Sequence, residues 1–184
     1  MKIHQIKDLS NHFVVKLLES GLSKITDERL IKNYHPDFRQ HNSNLFFLLD
    51  TGRYETGNYF VIEDNGQYVG SSGWNWYEDD IALLLTRCYM DKAYRFNYLM
   101  AEHFMPRMFE ETNQYNRLWI TVNGYNKIIY DGLTKMYEGK RVGLFKPWPE
   151  IYGKFKPIGI RTVNYTEQYV VEYTRNKNEQ TRKD

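Results

Sequence analysis

The spacing of apolar residues changes several times along the chain, and each change marks an element. Ile3 and Ile6 within Lys2–Lys7 predict a short strand. Phe13, Val14, Leu17, Leu18 and Leu22 then recur at helical spacing, with Asp8 or Ser10 as cap and Gly21 near the end. Thr26-Asp27-Glu28-Arg29 opens a second helix that reaches Tyr34 and stops at Pro36. Leu45 to Leu49 is an apolar run too short for periodicity to assign.

The middle of the chain is more explicit. Tyr59–Glu63 predicts a strand, Asp64-Asn65-Gly66 a turn, and Gln67–Gly70 the returning strand, which can continue to Trp76. Glu78-Asp79-Asp80 reads as a solvated loop. Ile81 to Met90 is a continuous apolar strand suited to burial on both faces. Asp91-Lys92 breaks it, and Tyr94 to Glu111 follows as a helix that Pro106 should kink. Arg117–Val122 is another strand, ended by Asn123-Gly124. Asn126 to Lys135 is a helix with Ile129, Leu133 and Met136 apolar. Residues 138–157 predict an irregular loop with three prolines and Trp148, Tyr152 and Phe155, suited to covering a pocket or forming a subunit contact. Gly159–Val163 and Gln168–Tyr173 make a closing hairpin.

Strands and helices in this order predict one α/β (α+β) domain over residues 1–173. Its sheet is mixed, mostly antiparallel and twisted, with helices on both faces. Residues 174–184 predict a polar, mobile tail.

Composition narrows the class. The chain has 184 residues, 41% hydrophobic and 26% charged, which is globular rather than disordered. No stretch approaches the roughly 20 apolar residues of a membrane span. No leader is visible, so the simplest compartment is cytoplasmic. Lys plus Arg is 25 against 23 Asp plus Glu, and the tail alone supplies the net +2. A neutral body lacks the basic footprint of a nucleic-acid binder, so nucleic acid is not an expected partner; exposed aromatics are the weaker case for a single-strand binder.

Candidate chemistry is sparse. The single cysteine, Cys88, excludes a disulfide framework and reads first as a small core hydrophobe. The five histidines show no metal-ligand spacing, so no metal is expected; His103 reads as a partly buried helix residue. Trp74 and Trp76, two apart on a strand, suit either core packing or an acceptor pocket.

The order of elements over residues 59–173 resembles the GNAT acetyltransferase superfamily. Leu85-Thr86-Arg87-Cys88-Tyr89-Met90-Asp91-Lys92-Ala93-Tyr94-Arg95 resembles that family's strand-to-loop passage into its acyl-CoA motif. Ile120-Thr121-Val122-Asn123, with Asn126 and Ile129, resembles a second family segment. The resemblance implies an N-acyltransferase that uses acetyl-CoA as co-substrate and an unidentified small-molecule or protein amine as acceptor. A homodimer is left open.

The physical basis of the motif is a strand end that splays from its neighbour and offers its backbone to pantetheine, followed by a helix N-terminus that receives the pyrophosphate. By this resemblance Cys88, Tyr89, Met90, Arg95, Phe96, Asn97, Tyr98, Leu99, Met100 and Asn126 would hold the cofactor. Asn126 would also cap its helix. The family pattern Q/R-x-x-G-x-G/A keeps Arg95 here, but Tyr98 and Met100 occupy the small-residue positions. Tyr98 would either block the phosphate or bond it through its hydroxyl. The family's tyrosine acid has no match at Leu133; Tyr130 or Tyr137, one turn away on either side, could substitute. Glu78, Asp79 or Asp80 would serve as base, and a backbone N–H near Cys88 would polarise the thioester. The alternative is a GNAT-fold protein that has lost cofactor binding and acts as a binding or interaction module.

Overall fold

A computed structural model describes residues 1–5, 57–94, 100–140, 153–163 and 165–175. The expected helices over 10–22 and 26–34 and the run 45–49 lie outside them. The described elements are β1 (Lys2–Gln5), β2 (Gly57–Asp64), β3 (Gln67–Glu78), β4 (Ile81–Met90), α1 (Met105–Glu111), β5 (Arg117–Asn123), α2 (Lys127–Tyr137), β6 (Lys156–Val163) and β7 (Thr166–Thr174). The strands form a seven-stranded sheet in the order β1-β2-β3-β4-β5-β7-β6. The described ladders are antiparallel except β4–β5, which is parallel. The chain divides into two compact units, one of Met1–Asn75 with Arg87–Arg95 and one of Trp76–Thr86 with Phe96–Asp184.

The first unit is built on the β2–β3 hairpin. Its turn is Asn65-Gly66 with φ of 51° and 77°, the two left-handed positions that asparagine and glycine tolerate. From Gly57 to Glu63 and from Tyr68 to Trp74 every residue is buried. The chains approach closely at one end. A Cβ at Gly73 would lie 2.5 Å from the Asn58 carbonyl oxygen, and one at Gly57 only 2.2 Å from that of Trp74.

A bulge shapes the other end. Ile62 pairs with Gly70 but Glu63 pairs with Tyr68, so Val69 is the extra residue. The bulge turns Tyr68 onto the face of Ser71. There the Tyr59 hydroxyl donates to Ser71 Oγ at 2.9 Å, and Tyr68 Oη shares a hydrogen bond with the same oxygen. These hydroxyls are buried and satisfy one another. β1 joins through Lys2↔Glu63 to Gln5↔Phe60, and His4 Nε2 meets Glu63 Oε2 at 2.8 Å. That hydrogen bond from His4 is the main reason the Glu63 carboxyl titrates below its ordinary range.

In the second unit β5 is central, paired with β7 along its length and with β4 over its first residues. Alternation divides β5 cleanly. Trp119 joins Ile81, Leu83, Val163 and Val170 in a buried cluster on one face. On the other, Leu118 lies opposite Tyr173, whose ring packs on Phe109 of α1 and on Phe155. Tyr169, four residues before Tyr173 on β7, packs on Tyr130 of α2. Both described helices therefore cover the same face of β7. Where the sequence predicts helices on both faces, the described ones account for one.

Several expectations are corrected. Among the described residues of the expected helix from Tyr94, a short turn covers Lys92–Tyr94, a π-type turn covers Met100–Phe104, and the α-helical part begins at Met105. Pro106 lacks the N–H for an i→i−4 bond, and the widened turn just before it relieves the clash of its ring. Phe155, in the irregular stretch before β6, is fully buried among rings, and β6 begins at Lys156 rather than Gly159. Ile129 is 51% exposed, so on α2 Leu133, not Ile129, carries the buried face. Cys88 and His103 are exposed. Trp74 is buried but Trp76 is exposed, so the two do not form one aromatic surface. The ordered body also runs past residue 173: Arg175 donates through Nη2 to Phe109 O at 2.8 Å and Thr112 Oγ1 at 3.1 Å.

Candidate functional site

The feature that sets β4 apart is where its pairing stops. Its parallel ladder with β5 runs from Ile81↔Arg117 to Leu84↔Ile120 and ends there. The next residue, Leu85, has φ of 56°, a left-handed conformation uncommon for a residue with a Cβ. β4 nevertheless continues to Met90 and β5 to Asn123. On β5, Thr121, Val122 and Asn123 keep their β7 partners, Val170, Tyr169 and Gln168. Among the described residues, neither Thr86–Met90 nor Thr121–Asn123 has a partner in the β4–β5 ladder. Such a stretch has backbone N–H and C=O groups able to accept an added strand.

Of the expected cofactor residues, Cys88, Tyr89 and Met90 lie on this stretch of β4. Cys88 is exposed, and Met90 is buried at 7%. Tyr89 lies between them on β4. Arg95, Phe96, Asn97, Tyr98 and Leu99 lie outside the described residues, and Met100 opens the π-type turn. Asn126 precedes α2 as expected, but its side chain makes no cap hydrogen bond, which corrects the capping role.

The two candidate acids separate. Tyr130 is half-buried, its ring centroid 4.8 Å from that of Tyr169, and Tyr169 pairs with Val122 just past the end of the ladder. Tyr137 is 44% exposed at the last position of α2. Seven residues of helix put it about 10 Å farther along the axis. Lys127 pairs with Asp131 and lies 5.7 Å over the Tyr169 ring, so the first turn of α2 is braced beside Tyr130.

The candidate bases lie elsewhere. Glu78 ends β3, and Asp79-Asp80 make the turn into β4. Asp80 Oδ1 accepts the Asn116 N–H at 3.0 Å, and the Asp80 carbonyl accepts the Arg117 N–H. That carboxylate holds the start of β5. Five residues of strand separate it from Leu85, roughly 16 Å. The structure thus does not bring Glu78, Asp79 or Asp80 to the end of the ladder. Among the described residues no group of His, Cys, Asp and Glu could hold a metal, and no helix is long and apolar enough to cross a membrane.

At its far end β4 leads into a tight turn. Asp91 N–H donates to Val69 O, Tyr94 N–H to Asp91 O, and Tyr94 Oη to Asp64 Oδ2 at 2.8 Å. That last bond is the main reason the Tyr94 hydroxyl titrates above its ordinary range. Nothing in the sequence marked the Tyr94–Asp64 bond or the left-handed backbone at Leu85. The Asp91-Lys92 break was the one local cue.

No family model matches the sequence, and no curated protein does either. Solved structures do. An acetyltransferase from Streptococcus agalactiae superposes with a TM-score of 0.58 at 16% identity, covering 95% of this chain and 98% of that one. A GNAT-family acetyltransferase from Staphylococcus aureus gives 0.56 at 13%, covering 94% and 99%. This chain has the GNAT fold. A Salmonella typhimurium structure described with its cofactor acetyl-CoA also matches, with a TM-score of 0.57 at 9% identity, covering 96% and 95%. At these identities the likeness establishes the fold. Within the GNAT fold the interrupted β4–β5 ladder falls at the predicted strand-to-loop passage.

Proposed function

We propose that this chain is an acyl-CoA-dependent N-acyltransferase, moving an acetyl group from acetyl-CoA to an amine acceptor. The observation that carries this reading is the ladder that stops at Leu84↔Ile120, with Leu85 left-handed and β4 continuing to Met90. The backbone of Thr86–Met90 suits an amide-rich arm laid along it as an added strand. Cys88, within that stretch, is exposed.

Acetyl-CoA supplies the activated acyl group as a thioester. The chain's part is to bind, polarise and move protons. Backbone N–H groups of β4 near Cys88 would donate to the acyl carbonyl, and Arg95 would face the pyrophosphate. Tyr130, braced on Tyr169, is the better-placed acid of the two tyrosines. Asp80 is committed to the Asn116 N–H, so we assign the acceptor amine no carboxylate base from the β3–β4 turn.

A second reading is a GNAT-fold binding module without cofactor. Tyr98 and Met100, at the two positions where the family has small residues, favour it. Thermal unfolding with saturating acetyl-CoA, and with ATP as the polyanion control, separates the readings. A ligand at 100 times its Kd adds ~2.7 kcal/mol, a shift of roughly 5–10 °C for a chain of this size. A shift with acetyl-CoA alone supports the enzyme. No shift at millimolar acetyl-CoA leaves the binding module.

A further inference from the structure

Asn-Gly occurs twice in this chain, at Asn65-Gly66 and at Asn123-Gly124. Asparagine is thermolabile, and a following glycine leaves the next backbone nitrogen least hindered. The reaction needs only water. The glycine nitrogen loses its proton and bonds to the asparagine Cγ, the carboxamide C–N bond breaks, and ammonia leaves. Water then opens the cyclic imide at either carbonyl, giving aspartate or isoaspartate. The nitrogen must reach Cγ, and its proton must leave. The two pairs differ on both counts.

Both residues of Asn65-Gly66 are exposed, yet their geometry opposes the reaction. Asn65 has φ of 51°. The left-handed region carries ψ of roughly +30 to +60°, which sets the next nitrogen nearly opposite Cβ across the Cα–C bond, away from the carboxamide. Gly66 N–H also donates to Glu63 Oε1 at 3.0 Å, while His4 Nε2 meets the other oxygen of that carboxylate at 2.8 Å. Removing the Gly66 proton would break this bond and set an amide anion against a carboxylate, two like charges in contact.

Asn123 has φ of −62° and ψ of 151°. At that ψ the Gly124 nitrogen stands beside Cβ rather than opposite it. The Asn123 side chain makes no cap hydrogen bond to the helical turn that Gly124 opens. As the first residue of that turn, Gly124 has an N–H with no helical carbonyl to bond. It is exposed, with nothing within 4 Å of where a Cβ would lie.

We propose that Asn123-Gly124 is a site of spontaneous conversion to aspartate and isoaspartate, and that Glu63 and the left-handed turn protect Asn65-Gly66. Isoaspartate carries the backbone through Cβ, so it lengthens the link from β5 to α2 by one atom. The inference does not depend on the acyltransferase reading.

The test incubates the full chain in mildly alkaline buffer, folded and unfolded in guanidinium chloride, and follows each site by peptide mass spectrometry. The unfolded sample gives the rate of each pair without the fold. Folding should slow Asn65 roughly ten- to a hundred-fold, the scale of one hydrogen bond to a charged acceptor, and should slow Asn123 far less. Glu63→Gln removes the charge and should speed Asn65 in the folded chain while leaving Asn123 unchanged. Gly124→Ala, for which there is room, should slow Asn123 and leave Asn65 unchanged. If Glu63→Gln does not fold, the wild-type comparison alone carries the test. Equal slowing of the two sites by folding, or greater slowing of Asn123, overturns the inference. A folded Glu63→Gln chain in which Asn65 stays as slow as in wild type overturns the part given to Glu63.

Discussion

The two halves of β4, aliphatic throughout Ile81–Leu84 and mixed with Thr86 and Arg87 beyond it, differ in their pairing with β5. Ile81–Leu84 is paired with β5, and its four residues are 0–4% exposed. From Leu85 onward the strand has no described β5 partner, and Cys88 is exposed. The run IALLLTRCYM reads as one buried strand. The β5 ladder ends at Leu84, and the next residue, Leu85, has φ of 56°. Apolarity specifies that a segment seeks cover; it does not specify which neighbour covers it or for how long.

The comparison breaks most visibly by truncating one residue in each half. Leu84→Ala should cost about 2–5 kcal/mol, as for other buried leucines. Cys88→Ala should stay within ~0.5 kcal/mol. Urea unfolding of both variants decides; similar losses would mean the halves are equally packed.

Leu85 itself should give a smaller effect that depends on backbone shape. A left-handed L-residue costs roughly 1–2 kcal/mol. Leu85→Val, β-branched, should therefore lower Tm, while Leu85→Gly removes the strain and should lie near wild type. If glycine is the more harmful substitution, the Leu85 side chain matters more than its φ.

The paired end of β5 should respond to pH. Glu172 Oε2 accepts N–H bonds from Arg117 Nε, Arg117 Nη2 and Trp119 Nε1. Burial of this carboxyl raises its pKa, but the bonds from Trp119 and Arg117 outweigh it and hold it below the ordinary range. A depressed folded pKa means stability that is present above the unfolded value, about 4.3, and lost as pH falls through the folded one. Glu172→Gln should cost about 1 kcal/mol at neutral pH and flatten the acid limb of the stability curve. An unchanged limb would assign that limb to other carboxyls.

Legibility followed the range of each interaction. The β2–β3 hairpin could be read because Asn65-Gly66 is a local instruction: both residues accept positive φ. Pro106 signalled a disturbance of its helix, which takes the form of a π-type turn over Met100–Phe104 just before the α-helix in whose first turn Pro106 sits. The choice between Tyr130 and Tyr137 was invisible, since both lie one turn from Leu133. Only the Tyr169 ring, from a strand 39 positions later, separates them. The carboxylates of Glu78–Asp80 looked available because acidic turns usually are; the Asn116 N–H that occupies Asp80 comes from 36 residues away.

Among the described residues the sequence by itself determined the strands, the β2–β3 turn and the α/β class, because these depend on side-chain period and on a few residues with restricted backbones. Tertiary structure alone decided where the β4–β5 ladder ends, which tyrosine is braced against the sheet, and that Asp64 reaches Tyr94. Each of those is set by a partner distant in sequence, and no local pattern encodes the place where two distant segments meet.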